Sequence, residues 1–351
     1  MKIILVIPTF AKGGAERVVS RLSLYWESIG HEVRVIVFDG SNPQYSYGGT
    51  THDCRSRASL WTVVKIRNII LRTLVIKKII VSFKPDKIIS FMETANFPCL
   101  FAWLISKSMG DITVSIRSSP VLFGHFTRFM VKRLYKKATK IVVQTRGAKN
   151  FAIKNLNLPN NKVRIVPNPI SNEFFERPHS CDRRRRSILA VGRLERVKGF
   201  DLLIKACSLL SGIHLRIIGD GSERLNLLML VNELGLSGCV TLPGQFEDII
   251  PQLDSAAIFV LPSRNEGYPN ALAEAMARGC GVVAFDCKYG PSEMIDSGDN
   301  GILVPPGDPV SLADAISTIL SNDSLWISFG DRARVKSREW DIKMISIQWL
   351  N

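Results

Sequence analysis

Short apolar runs alternate with longer amphipathic stretches along the whole chain. Residues 3–7, 32–38, 87–91, 112–116, 141–144 and 163–166 are runs of strand length, and 187–191, 214–218, 239–242, 258–261 and 281–285 repeat the pattern in the second half. Between them apolar residues recur at helical spacing, as at 15–29, 126–137, 200–210, 222–234 and 270–278. Runs that are apolar throughout predict strands buried on both faces of a parallel sheet. Strand–helix alternation with short loops places helices on both faces, and two such series predict two doubly wound α/β domains. The break falls at Pro167-Asn168-Pro169, which continues neither helix nor sheet. The expected organisation is a domain at 1–170, a linker at 171–186 whose basic run 183–186 is solvated, a second domain at 187–330, and a C-terminal helix at 331–351 crossing back to the first domain.

Charge separates the two halves. The chain carries 46 Lys and Arg against 31 Asp and Glu, a net of +15. Residues 1–170 hold 27 basic and 8 acidic side chains, whereas 187–351 hold 14 and 20. An anionic partner is therefore expected for the first domain alone: an acidic membrane surface, a phosphorylated lipid or a nucleic acid, with plain solubility as the alternative. Lys77-Lys78, and Lys132-Arg133 with Lys136-Lys137 behind Phe126, Phe129 and Met130, suit a helix lying in an anionic interface. No apolar run reaches the ~18 residues of a spanning helix, and residues 1–8 are too short for a secretory signal. Contact with a membrane is thus expected to be peripheral, on its cytoplasmic face. Seven cysteines without a C-x-x-C pair suit a reducing compartment. The five histidines have no metal-ligand spacing, and D-x-D and P-loop motifs are absent from the sequence.

Three segments carry candidate chemistry. In Pro262-Ser263-Arg264-Asn265-Glu266-Gly267-Tyr268-Pro269-Asn270-Ala271-Leu272-Ala273-Glu274, a buried strand ends, a glycine loop follows and a helix begins. Free N–H groups and the dipole at such a helix start favour an anion, and Gly267 permits close approach. Glu266 and Glu274 suit hydroxyl pairs of a sugar and a ribose, although either acid alone is equally well an ordinary surface group. In Val191-Gly192-Arg193-Leu194 with Lys198-Gly199, Arg193 stands at a strand's carboxyl end and Lys198 before the next helix, so both suit a diphosphate; the alternative is that Arg193 pairs with a carboxylate and Lys198 is solvated. Gly13-Gly14 opens a helix after the first strand, either for a close backbone approach or as a tight turn. Gly219-Asp220-Gly221 lacks the third glycine of a dinucleotide fingerprint and reads as a turn.

Together these segments resemble the family-4 glycosyltransferases of GT-B fold, as do Gly279, Gly290-Pro291-Ser292-Glu293 and Asn300-Gly301-Ile302-Leu303-Val304-Pro305-Pro306-Gly307-Asp308. The resemblance implies two Rossmann-like domains facing each other across a cleft, and transfer of a hexose or N-acetylhexosamine with retention of configuration and no obligatory metal. The donor is a nucleotide diphosphate sugar, a substrate rather than a cofactor, with UDP preferred to GDP. The acceptor implied is a lipid-linked glycan of cell-surface polysaccharide, O-antigen or lipopolysaccharide synthesis. Arg193, Lys198 and Glu266 take catalytic roles by this likeness; Gly13, Gly14, Gly192, Gly267, Tyr268, Pro269, Asn270, Ala271 and Glu274 bind the donor. The first-domain histidine of many relatives has no convincing equivalent. Glu93 in Ser90-Phe91-Met92-Glu93 and Arg117 in Arg117-Ser118-Ser119-Pro120 are acceptor-side candidates, with a structural loop network as the alternative. Two rivals fit less well. A nucleic-acid-binding protein would need a recognised module, and a nicotinamide dehydrogenase would need G-x-G-x-x-G after its first strand.

Overall fold

The computed structural model of the protein describes residues 1–11, 13–57, 62–108, 110–117, 123–176 and 187–351. The chain forms two compact units, Met1–Pro169 with Ile342–Asn351, and Ile170–Asp341.

The first unit runs β1 (Lys2–Thr9), α1 (Gly14–Ser28), β2 (Glu32–Asp39), β3 (Thr50–Asp53), α2 (Thr62–Phe83), β4 (Lys87–Phe91), α3 (Glu93–Ser106), β5 (Asp111–Ser115), α4 (His125–Leu134), β6 (Lys140–Val143), α5 (Arg146–Leu156) and β7 (Val163–Ile165). Its strands pair in parallel in the order β3-β2-β1-β4-β5-β6-β7. Alternate residues of β1 enter opposite cores. Ile4 and Val6 pack under α2–α5, while Ile3, Leu5 and Ile7 pack under α1. This two-sided burial is why the strand is apolar throughout, each such side chain contributing about 1.5–3 kcal/mol by leaving water.

The second unit runs α6 (Glu173–Glu176), β8 (Ser187–Val191), α7 (Phe200–Cys207), β9 (His214–Ile218), α8 (Arg224–Glu233), β10 (Val240–Gly244), α9 (Ile250–Ser255), β11 (Ile258–Leu261), α10 (Asn270–Ala277), β12 (Gly281–Phe285), α11 (Pro291–Met294), β13 (Ile302–Val304), α12 (Pro309–Leu320) and α13 (Asp323–Ser337). Its sheet order is β10-β9-β8-β11-β12-β13, again parallel. Ile258 and Val260 of β11 face one core, Phe259 and Leu261 the other. Asp308 caps α12 by accepting from Val310 N and Ser311 N, with Pro309 opening the helix.

The chain ends in α14 (Ile342–Leu350), which belongs to the first unit. Ile342, Ile345, Ser346 and Trp349 form its buried face, at helical spacing, and the Trp349 ring lies 5.1 Å from that of Phe91.

Several expectations change. The segment 331–351 is not one crossing helix: α13 stays in the second unit and only α14 joins the first. The amphipathic stretch 126–137 divides into α4 and a 3-10 turn, Tyr135–Lys137, because Tyr135 is drawn fully into the core. Strands β3 and β13 and the long helix α2 were not foreseen. The exposed, polar sequence Thr50-Thr51-His52-Asp53 of β3 carries no apolar signal, as befits a sheet edge. The basic run 183–186 and the loop residues 118–120 lie outside the described residues.

Candidate active site

In the second unit the chain winds outward from β8 to β9 and β10, then returns to β11 on the other flank of β8. The loops after β8 and β11 therefore part in opposite directions at the carboxyl edge of the sheet, where such sheets bind ligands. Lys198 comes from the first loop and Glu266 from the second. Lys198 Nζ lies 2.6 Å from Glu266 Oε1, with the side chains 21% and 7% exposed. The Ser263 hydroxyl donates to the same oxygen at 2.7 Å. Burial pushes the nearby Cys287 thiol up to about 12, with the Glu266 carboxylate adding to the shift and Lys198 opposing it.

The backbone around this pair is tightly stapled. Arg264 N donates to Val197 O at 2.8 Å, and the Arg264 guanidinium grips both Asp201 oxygens at 2.7 Å while also reaching Arg196 O. Arg196–Lys198 form one 3-10 turn, ended by Gly199 in the left-handed region at φ +67. A Cβ on Gly192 would stand 3.3 Å from the Phe200 ring, a tight contact, and 3.7 Å from Lys198 Cδ, an ordinary one, so the glycine leaves room for the ring. Gly219, at φ +146, rests directly on the Gly192 carbonyl, which makes its glycine a packing requirement of this turn. Arg193 goes elsewhere. Its guanidinium pairs with Glu195 at 2.7 Å in an exposed position, the carboxylate alternative foreseen above.

The loop after β11 leads through Gly267 and half-buried Tyr268 into α10. Pro269 is the N-cap, one position before the expected first helical residue, and Asn270 and Ala271 open the helix. Glu274 lies one turn further on and is 1% exposed. The loop after β12 closes on the same segment: a Cβ on Gly290, at φ +101, would meet the Pro269 ring at 2.6 Å.

The first unit has its own reversal between β1 and β4. Gly13 is the N-cap of α1 and Gly14 its first residue. The Glu16 carboxylate occupies the place a Gly13 side chain would take and accepts from the Thr9 hydroxyl at 3.0 Å. Glu93 opens α3 directly after β4. Arg117 follows β5, donates to Asn168 Oδ1 at 2.6 Å and lies over the Phe91 ring at 5.5 Å.

The structure thus joins Lys198, Glu266 and Gly192, and sets Gly267–Asn270, Ala271 and Glu274 along one loop-to-helix junction. Sequence reasoning missed Ser263 as a partner of Glu266, although it stands in the same motif. It also missed the Asp201–Arg264 clamp and the buried Arg278–Asp254 pair at 2.7 Å. Those partners are far apart in the chain and no local spacing announces them. Among the described residues no group of three or more His, Cys, Asp or Glu side chains is placed to hold a metal ion, and no helix is long and apolar enough to cross a membrane.

Two parallel-sheet units of this topology have the fold class of the GT-B proteins. Residues 12–174 match a family model described as Glycosyltransferase Family 4, and residues 185–322 one described as Glycosyl transferases group 1. Between them the two matches take in most of the chain, which belongs to the family-4 glycosyltransferases. It is 27% identical over 355 residues to the N-acetylgalactosamine-N,N'-diacetylbacillosaminyl-diphospho-undecaprenol 4-alpha-N-acetylgalactosaminyltransferase of Campylobacter jejuni, covering 97% of this chain and 96% of that one. An exopolysaccharide phosphotransferase of Streptomyces coelicolor is 34% identical over 214 residues, 60% of this chain. The chain spans 22% of that relative's length, and 54% of the length of a Haemophilus influenzae glycosyltransferase. The solved structure of Anabaena HepE in complex with UDP and glucose superposes with a TM-score of 0.82 at 18% identity, covering 99% of this chain and 98% of that one, a likeness of fold.

Proposed function

We propose that the protein transfers a hexose or N-acetylhexosamine, with retention of configuration and without a metal, from a UDP-sugar to a lipid-linked glycan in cell-surface polysaccharide synthesis. The observation that carries this reading is the Lys198–Glu266–Ser263 cluster at the switch point of the second unit. The Lys198 ammonium and the N-terminus of α10, joined by Arg193 once its exposed guanidinium exchanges Glu195 for phosphate, neutralise charge as it develops on the departing diphosphate. Glu266 accepts from hydroxyls of the transferred sugar and Glu274 from the ribose. The C1–oxygen bond to the diphosphate breaks, an acceptor hydroxyl oxygen bonds C1 on the same face, and the hydroxyl proton leaves on the diphosphate. Glu93 and Arg117 serve the acceptor. The lipid-linked acceptor is supported by the name of the Campylobacter jejuni relative, and UDP by the ligand of the Anabaena structure.

Peripheral docking on the cytoplasmic membrane face is part of the same reading. Phe126 and Phe129 of α4 are 74% and 56% exposed, beside exposed Lys132, Arg133, Lys136 and Lys137. On α2, Ile66, Ile70, Leu74 and Val81 are exposed, and residues 54–85 contain no Asp or Glu. Apolar groups framed by bases without acids suit an anionic interface.

The test is turnover of UDP-N-acetylgalactosamine, UDP-N-acetylglucosamine, UDP-galactose and UDP-glucose with an undecaprenyl-diphosphate-linked N-acetylhexosamine, in EDTA, with the product anomer read by NMR. An α-linked product sustains the proposal; a β-linked product, or thermal stabilisation by NAD but by neither UDP nor GDP, overturns it. Flotation with phosphatidylglycerol vesicles at low salt tests docking, and absence of binding removes that part.

A further inference from the structure

The loops that carry Lys198 and Glu266 are joined at three places besides that pair. Arg264 N donates to Val197 O at 2.8 Å. The Arg264 guanidinium spends Nη1 and Nη2 on the two Asp201 oxygens, each at 2.7 Å, and Nη1 also donates to Arg196 O at 2.8 Å. Gly199, at φ +67, lies so close to the Pro262 carbonyl that a Cβ there would overlap its oxygen. The joined stretches, 196–201 and 262–264, contain Lys198 and lead directly to Glu266.

Each contact restrains a different part of the junction. Arg196 O closes the 3-10 turn by accepting from Gly199 N at 3.2 Å, so the guanidinium grips that turn at its hydrogen-bonded carbonyl. Asp201 lies in the first turn of α7, so the two-pronged pair ties the start of that helix as well. Two parallel hydrogen bonds fix orientation along with distance, which a single contact does not. Lys198 stands inside the clamped turn on a long, flexible stem. Its ammonium stays beside Glu266 only while its backbone keeps its place against the loop of Glu266. The guanidinium itself is committed: hydrogen bonding to Asp201 raises it above its ordinary value against burial, and the Asp201 and Glu223 charges add to the effect.

We propose that Arg264 and Asp201 are positioning residues: their two-pronged pair clamps the turn of Lys198 onto the loop of Glu266 and so fixes the ammonium where the donor diphosphate departs. The inference rests on the transferase reading of Lys198 given above.

The experiment compares Arg264→Met, Arg264→Lys, Asp201→Asn and the double variant Asp201→Asn with Arg264→Met against the parent chain, after circular dichroism has verified folding. Steady-state kcat and donor KM are read with the nucleotide sugar that the parent turns over and saturating undecaprenyl-diphosphate-linked N-acetylhexosamine. Arg264→Met should lower kcat by about 10–100-fold, the scale of a reacting group misplaced by about 1 Å. The loss should fall on kcat far more than on donor KM, because the charge that Lys198 meets develops as the diphosphate departs. Asp201→Asn preserves shape and should also lower kcat, although it releases the guanidinium. The double variant should lose no more than Arg264→Met alone, since the two side chains act as a unit. Arg264→Lys keeps the charge but not the fork and should recover only part of the rate. Variants that melt earlier yet keep the parent's kcat overturn the positioning role. A raised donor KM in Arg264→Met, with Asp201→Asn at the parent's values, overturns it too and makes Arg264 a phosphate contact. A parent that turns over neither UDP-sugars nor GDP-sugars removes the transferase reading, and this inference with it.

Discussion

Lys198 Nζ and Glu266 Oε1 stand 2.6 Å apart, although 68 positions separate the residues in the chain. The pair is mostly withdrawn from water and shares its carboxylate with the Ser263 hydroxyl. It therefore holds the two switch-point loops together and, under the proposed function, keeps a cation beside the departing diphosphate.

Removing one partner exposes both roles. Lys198→Ala should lower kcat by about 10²–10³-fold, the loss typical of one transition-state donor. It should also destabilise the fold by about 1–3 kcal/mol, because a buried carboxylate loses a charged partner. Steady-state turnover and urea denaturation measure the two. A variant of unchanged kcat would leave the pair a structural bridge alone.

Arg193 should behave in the opposite way. Its pair with Glu195 is exposed, at 67% and 36%, and such pairs contribute about 0–1 kcal/mol. Arg193→Ala should leave the melting midpoint in place yet cut kcat/KM by about tenfold or more through loss of a phosphate contact. Unaltered kinetics would assign the guanidinium to Glu195.

Two glycines separate close packing from backbone freedom. A methyl at Gly219 would overlap the Gly192 carbonyl, whereas at Gly235, φ +68, it would meet nothing within 4 Å. Gly235→Ala should cost about 1–2 kcal/mol from its left-handed backbone alone. Gly219→Ala should cost about 3 kcal/mol or more, or leave the protein insoluble. Thermal unfolding of the two variants side by side decides, and equal losses would contradict the close approach.

The Asp201–Arg264 clamp predicts an acid dependence. Burial alone would raise the Asp201 carboxyl, but the Arg264 hydrogen bonds and charge outweigh it and hold the group below the ordinary carboxylate range. A carboxyl depressed in the folded state stabilises fully above the unfolded value and loses that contribution as pH falls through the folded one. Asp201→Asn should therefore be less stable than the parent at pH 7, with the gap closing below about pH 4. Urea midpoints from pH 7 to pH 3 measure it; a gap that stays constant removes the ionic contribution.

Much of the architecture was legible because it is local. Apolar runs such as Ile3-Ile4-Leu5-Val6-Ile7 announce a strand buried on both faces, and the residues after Leu261 announce a loop and helix start. Helix α2 escaped notice because its apolar residues run around the whole helix, Ile76 and Ile80 buried but Ile70 and Leu74 exposed, which blurs the helical period. Gly13 reads equally as a close approach for a ligand or as a tight turn, and only the structure shows that the place its side chain would take is held by Glu16, three residues on.

By itself the sequence determined the two parallel-sheet series, the family and the residue types at each strand's carboxyl end, since periodicity and short motifs are properties of neighbouring positions. Tertiary structure alone decided that Lys198 meets Glu266 while Arg193 meets Glu195, and that Arg264 clamps Asp201. The physical reason is that these outcomes depend on which loops the winding reversal brings together and which polar groups are left to satisfy there. No run of adjacent residues encodes that.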